Sequence, residues 1–429
     1  MHKQYKIVKN IENQYALMQD NTKVAELFIN STPTQKEYPW HFGGKVLECA
    51  TFIIFENLNT EALQKTFLEY FNVDSLHILE LQNENKLAQS TSLRTLGHVY
   101  PNACELRLHK NSPFAVIKMQ ASFRHGSMTP WGGNKLQTLF NKPIPDKSTG
   151  ESLEVSVLNG LESKDMLGTT LTSLIENYSE AFTGKGYTAG NFPLLLKLLD
   201  AKGLLSIQVH PNDHYACTHA DGKLGKEEVW LVLDCDENAQ LVYGLKENTD
   251  EQALQNCLLS GKSPEYLVQF VKVQKGDIFY IPPGTVHALG SGIVVYELQQ
   301  SSDVTYRMWD WGRTDAQGNA RELHIEDSIH CINYKANNNK STLPTTLGTH
   351  RIVNGENFTL YSINLDGAEH FYNTDDTFAL CTAFGDLHLH NGDCILHLQS
   401  GESAFIPANC KEITVTGKGF AIIGKPKQK

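Results

Sequence analysis

No run in this sequence is apolar for anything near the roughly 20 residues a membrane-spanning helix needs; the longest, Ala50–Phe55 and Phe420–Gly424, are strand-sized. The first twenty residues mix Lys, Asn, Gln and Glu with scattered apolar side chains, so no secretory leader is expected there. Cysteine pairing is missing too. The nine cysteines are odd in number and none stands in a Cys-x-x-Cys pair, which argues against both a disulfide framework and a thiolate zinc site. Basic charge is in deficit: 37 Lys and Arg against 48 Asp and Glu give a net charge of −11. A broad nucleic-acid or anionic-membrane surface is therefore not expected, and any anion site must be a local pocket. These absences together read as a soluble, cytoplasmic protein.

What remains is a globular composition, 41% hydrophobic and 20% charged over 429 residues. At one domain per roughly 150 residues this length holds two or three domains, each able to bury a core. Residues 1–120 carry few chemical signals and read as an N-terminal α+β extension of unknown function. Asn59 or Thr60 is placed to cap a helix carrying Leu63, Phe67, Leu68 and Phe71 on one side, while Phe52–Phe55 and Leu76–Leu79 read as short strands. Helical spacing returns between Ser163 and Glu180 and, briefly, at Ala253–Leu258.

Elsewhere beyond about residue 185, short β-like runs alternate with Gly, Pro, Asn and Asp. Examples are Leu204–His210, Glu228–Leu233, Asp277–Ile281, Ile293–Leu298, Phe358–Asn364, Asp393–Leu398 and Ala404–Ile406. Many short strands between turn signals predict a mainly β protein, a barrel or jelly roll with a helical insertion. Tyr334–Pro344, with three consecutive asparagines and no apolar period, reads as a linker. The expected division is an extension over 1–120, a catalytic domain with the helical insertion over 121–335, and a smaller β domain over 345–429.

Four segments carry chemistry. If Leu204–His210 is a strand, its period of two puts Ser206, Gln208 and His210 on one face. A lone strand histidine is usually a satisfied core residue, but a polar Ser-Gln-His face among Leu and Ile needs partners. In the run from Gly225 to Leu233, alternation groups Lys226, Glu228 and Trp230. The bland reading there is a strand with its charged end in water, and Glu227, pointing the other way, fits it. In Gly276–His287, Gly276 and Pro282-Pro283-Gly284 bracket a tight turn that delivers His287 to the next strand. A purely structural hairpin would need the Gly and Pro but not the His. In the fourth segment Val295, Glu297 and Gln299 share a face, and Arg307 and Arg313 are an even number apart, so an unbroken strand would aim both one way, as an anion grip needs.

Assembled, His210, Glu228 and His287 supply two imidazoles and a carboxylate, with Gln208 as a neutral oxygen donor. That set suits a catalytic zinc ion with one position open, and it suits non-haem Fe(II) equally. Lys226, Glu297 and Arg307 are the accompanying proton-transfer and cationic groups.

The Gly276–His287 stretch matches the second motif of the cupin superfamily, whose His binds a metal. Beyond that, Trp131-Gly132-Gly133, Gly150–Glu154, Ser206–Asp213, Gly225-Lys226 with Glu228 and Trp230, Thr305-Tyr306-Arg307 and Arg321–His324 resemble the type I mannose-6-phosphate isomerases in their short bacterial form. Glu402–Pro407 is similar to that family's degenerate second cupin. The likeness runs from about Trp131 to the C-terminus; residues 1–120 have no counterpart, and Ser301 stands where the family often has Asn.

The resemblance implies a double cupin with Gln208, His210, Glu228 and His287 around one zinc ion per chain. It further implies Arg307 as a catalytic arginine and Lys226 as an active-site lysine. Ser206 and Arg313 become phosphate contacts and Asp303 a further substrate-side residue. The implied reaction interconverts mannose 6-phosphate and fructose 6-phosphate through an enediol, with Glu297 preferred over Lys226 as the proton carrier. The expected partner is this small sugar phosphate, with no nucleic acid and no membrane; a homodimer stays open. Another metal cupin enzyme, an Fe(II) dioxygenase or a sugar epimerase, and a non-catalytic sugar-phosphate sensor remain as alternatives.

Overall fold

Among the described residues, short alternating runs between turn residues assemble into four sheets with helices inserted between strands, the mainly β arrangement that the turn-punctuated pattern predicts. The computed structural model describes residues 5–29, 46–58, 60–73, 75–82, 93–95, 104–107, 116–166, 168–314, 318–335, 340–367, 370–373, 376–391, 394–410 and 412–427. No helix among these is long and apolar enough to cross a membrane. The cysteines described in side-chain detail are all free.

The first sheet is a meander, Tyr5–Ile11, Gln14–Gln19, Thr22–Ile29 and Val46–Ile54, whose last strand pairs in parallel with Ser75–Ile78. Parallel neighbours need a crossover, and helix Thr60–Phe71 supplies it. The spacing of Leu63, Phe67 and Leu68 turns them into a core with Leu17, Leu27 and Phe52, all between Tyr5 and Leu81. Phe52 and Phe67 meet edge to face at 5.5 Å. The cap expected at Asn59 lies outside the described residues, and Thr60 is already helical.

Two facing sheets follow. One has seven strands, in the order Ser122–His125, Thr149–Val155, Leu194–Ala201, Ile293–Gln300, Glu228–Cys235, Asp277–Ile281 and Lys340–Thr342. The other has five, in the order Val268–Lys272, Gln240–Leu245, His287–Ala288, Ile207–Val209 and Tyr306–Trp309. The run Leu194–Ala201 is apolar nearly throughout because both its faces are covered. Leu194, Leu196 and Leu198 pack outward, and Leu195, Lys197 and Leu199 line a cavity between the sheets.

The fourth sheet is built around the long antiparallel strands Ala379–Asn391 and Glu412–Pro426, flanked by Phe358–Asp366, Gly348–Asn354 and Ser403–Ile406. Ile117–Met119 joins its far edge beside Ser403–Phe405. Its Phe358, Leu360, Phe378, Leu380, Phe405 and Ile422 share one core with Val229, Leu231, Tyr296 and Leu298 of the seven-stranded sheet. The outer face of the cavity-bearing sheet is thus the floor on which the last sheet sits.

Three expectations are corrected. The helix read from Ser163 begins only at Leu171, because Thr170 caps it by accepting from Ser173 N–H and Lys164 is occupied in bridges to Gln120 and Thr170. The supposed linker contains a strand: Lys340–Thr342 closes the edge of the seven-stranded sheet against Asp277–Phe279, and Lys340 meets Asp277 at 2.7 Å; residues 336–339 lie outside the described set. The strand holding Arg307 does not run on to Arg313. It ends at Trp309, and Trp311 and Gly312, at φ +57° and +66°, turn the chain.

Candidate active site

Each metal-type donor stands next to or at the end of a strand. Ile207–Val209 is a three-residue ladder, since Pro211 brings no N–H to continue it, and it carries Gln208 directly between His287 and Arg307 of its two neighbours. His210 leaves that strand, Glu228 opens the strand to Cys235, and His287 opens the strand after the tight turn. That turn requires its glycine. Gly284 sits at φ +86° and a Cβ there would lie 2.8 Å from the Cys331 carbonyl oxygen.

His210, Glu228 and His287 converge, with one ligand atom from each inside a 4.8 Å group, and all three are buried. His287 Nε2 is 3.1 Å and His210 Nε2 3.5 Å from the two carboxylate oxygens of Glu228. Gln208 Nε2 lies 3.2 Å from His287 Nε2. Each imidazole is oriented from behind: His210 Nδ1 meets the Val304 carbonyl at 3.0 Å and His287 Nδ1 the Thr285 carbonyl at 2.8 Å. A carbonyl only accepts, so Nδ1 carries a proton, and Nε2 is the ring nitrogen turned inward as the candidate ligand atom. Glu228 Oε1 has no hydrogen-bond partner, and Oε2 is paired with Lys226 Nζ at 2.7 Å. Two inward-facing imidazole nitrogens and a buried carboxylate with one oxygen lacking a hydrogen bond suit a divalent cation, and the donor set fits zinc.

Positive charge already stands at this point. Lys226 Nζ is 2.9 Å from His210 Nε2 and 2.7 Å from Glu228 Oε2. Burial, followed by the Lys226 ammonium, pushes His210 well below the ordinary imidazole range despite Glu228. Burial alone would raise Glu228, but Lys226 and His210 outweigh it and hold the carboxyl well below the usual range.

The cavity encloses about 240 Å³, the scale of one small ligand, and is walled by both sheets. Ser206, Gln208, Lys226, Glu297, Asp303 and Arg307 line it. Glu297 is held from two sides: Trp230 Nε1–H donates to Oε2 at 2.6 Å and Lys197 pairs with Oε1 at 3.2 Å. Arg307 donates through Nη1 to the Glu322 carbonyl at 2.8 Å and keeps a buried Nε without a partner. Asp303, paired with Lys223 at 2.9 Å, titrates below its usual range because that ammonium outweighs burial. Ser206 Oγ makes only a long 3.4 Å contact, to Gln208 Oε1.

Arg313 is not brought to the lining. It is committed to the Asp310 carboxylate and to the Leu204 carbonyl. Arg321 lines the cavity instead, gripping the same Asp310 through Nε at 2.7 Å. The sequence reading also missed a row of charges crossing the sheet: Arg124 to Glu151 at 3.2 Å, Glu151 to Lys197 at 3.6 Å, and Lys197 to Glu297. Lys197 was findable in principle, as the single charge inside Leu194–Leu199.

Two family descriptions match the chain: "Phosphomannose isomerase type I, catalytic domain" over residues 116–227 and "Mannose-6-phosphate isomerase, cupin domain" over 348–425. The chain is 35% identical over 306 residues to mannose-6-phosphate isomerase ManA of Bacillus subtilis, covering 68% of this chain and 94% of that protein. It is 36% identical over 292 residues to the mannose-6-phosphate isomerase of Streptococcus mutans, covering 66% and 90%. Among solved structures, the mannose 6-phosphate isomerase from Bacillus subtilis superposes with a TM-score of 0.64 at 33% identity, over 72% of this chain and 99% of that one. A mannose 6-phosphate isomerase bound with zinc and yttrium shares the fold at a TM-score of 0.58 and 17% identity, over 73% and 100%.

Proposed function

The chain belongs to the type I mannose-6-phosphate isomerase family, and on that premise we propose that it interconverts mannose 6-phosphate and fructose 6-phosphate with one zinc ion per chain. The observation that carries the reading is the convergence of His210, Glu228 and His287 directly behind Lys226 and Gln208, two residues that line a cavity together with acids and arginines. His210, Glu228 and His287 would hold the ion, with Gln208 beside them. Bound there, zinc would supply Lewis acidity toward the sugar's oxygens.

The remaining work falls to side chains. An aldose–ketose interconversion moves one proton between neighbouring carbons, and Glu297 is our candidate to carry it. Its two supporting contacts fix the carboxylate in place, and a fixed base avoids reorganisation during transfer. Arg307, its Nε lacking a partner, faces the cavity with charge to offset the negative enediolate. Lys226 serves ring opening, where a proton must reach the ring oxygen. For substrate binding, Ser206 and Asp303 offer a hydroxyl and a carboxylate at the wall, and Arg321 and Arg124 add positive charge there suited to a phosphate. We assign Arg313 a part in shaping this end through Asp310, which it shares with Arg321. The charge deficit of the whole chain fits a phosphate site this local.

A coupled assay of mannose 6-phosphate turnover on the zinc-loaded full chain tests the reading. Fructose 6-phosphate should form without oxygen; zinc bound with no product contradicts it.

A further inference from the structure

Glu227 is the one member of the Lys226-Glu227-Glu228 run that the proposed chemistry leaves unused. The expectation that its end of the strand lies in water is wrong: Glu227 is fully buried. Alternation explains where it goes. Lys226 lines the cavity and Glu228 faces His210 and His287, so Glu227 shares the opposite face with Val229 and Leu231, the face covered by the last sheet.

There its carboxylate collects four donors. Tyr280 O–H donates to Oε1 at 2.6 Å and Glu356 N–H to Oε1 at 2.8 Å, while Asn357 donates to Oε2 through its backbone N–H and its Nδ2, both at 2.8 Å. Three of the four come from the turn 355–357 of the C-terminal sheet. The approach is so close that a Cβ on Gly355 would lie 2.0 Å from Oε1. The backbone of the same residue is gripped as well: Glu227 N–H donates to Gln300 Oε1 at 2.9 Å and Gln300 N–H to the Glu227 carbonyl at 3.0 Å. An apolar side chain would fill this interface without desolvating a charge, so what the carboxylate adds is direction: four fixed bonds at a single register.

We propose that Glu227 is a positioning residue through which the C-terminal sheet sets the donor geometry of the other barrel, an inference that rests on the zinc reading above. Held by its side chain on one face and its backbone at the edge, it fixes the first turn of alternation of the strand. Lys226 and Glu228 are thereby presented to His210 and His287. The degenerate sheet acts on metal affinity without contributing a ligand.

The test measures zinc affinity on the folded full chain by competition with a chromophoric chelator, at a temperature well below unfolding. Glu227→Gln keeps the size but turns an amide N–H₂ toward donors. It should weaken zinc binding by about 10–100-fold, the usual effect of losing a group that orients a ligand. Tyr280→Phe removes one donor and should give a smaller loss. Phe405→Leu perturbs the same inter-sheet core away from the strand end and serves as the control for mere destabilisation; its zinc affinity should stay within about twofold of wild type. Wild-type affinity in Glu227→Gln overturns the proposal, as does an equal loss in Phe405→Leu. Should Glu227→Gln not fold, unchanged affinity in Tyr280→Phe overturns it. A wild-type chain that takes no zinc overturns the underlying reading along with this inference, and is recognised because no variant is needed to see it.

Discussion

The cavity-bearing pair of sheets and the C-terminal sheet use the same antiparallel vocabulary to opposite ends. Between the first pair the buried side chains include His210, Glu228, His287, Lys197, Glu151 and Glu297, and a cavity remains open among them. In the C-terminal unit the corresponding core is the apolar cluster of Ile363, Leu365, Leu387, Leu389, Ile406, Val415 and Ile423 with small Ala and Cys residues between. One unit turns buried charged groups toward a cavity, and the other packs apolar side chains together. The difference teaches that the fold alone assigns no chemistry; the side chains aimed inward do. It also explains why the cavity-bearing unit needs the apolar one: its charged inner face leaves the outer apolar face to be covered, and the core shared by Leu298, Phe358 and Phe405 does so.

The two units differ most at the proposed metal donors. Changing His287 to Ala should abolish turnover and zinc content together with little change in the apolar unit; an active, zinc-loaded variant would remove His287 from the ligand set. Next comes the proposed proton carrier. Glu297→Gln should lower kcat by about 10²–10⁴-fold while zinc stays bound, and an unaltered kcat would move the proton to another group. The apolar unit should answer in stability instead. Phe405→Ala, which empties a fully buried stack with Phe182 and Phe378, should cost about 3–5 kcal/mol of unfolding free energy in denaturant titrations, with kcat retained where the variant is folded.

The smallest effect is expected from pH. Burial raises the Glu151 carboxyl, but Lys197, Arg124 and Lys226 outweigh it and bring it below its usual 4.5. A carboxylate depressed in the folded state adds stability that is fully present above about pH 4.5 and lost as pH falls through the lower folded value. Glu151→Gln should therefore flatten the acid limb of the stability curve, and a limb of unchanged steepness would show that Glu151 does not feel the cations beside it.

What the sequence made legible is what turn chemistry dictates. Gly276, Pro282-Pro283-Gly284 and His287 could be read directly because a sharp turn tolerates few residue types, and Gly284 shows why. Period-two alternation likewise grouped Ser206 with Gln208 and Lys226 with Trp230, all of which line the cavity. Legibility failed where a residue's environment is made by distant chain. Glu227 looks like any charged strand end until residues 355–357 close over it. Arg313 shares its parity with Arg307 until Trp311 reverses the chain. Lys197 reads as a solvated charge unless Glu151 and Glu297, from two other strands, are known to flank it. The short strand Lys340–Thr342 has no apolar period because it lies at a sheet edge with its side chains exposed.

Two imidazoles and one carboxylate, far apart along the chain, are proposed to bind a single ion. X-ray absorption at the zinc edge of the loaded full chain tests it most directly. Imidazole nitrogens are expected at about 2.0–2.1 Å with oxygen completing the coordination, and no bound zinc is expected to give an edge in His287→Ala. A zinc edge without imidazole scattering, or one unchanged by that substitution, contradicts it.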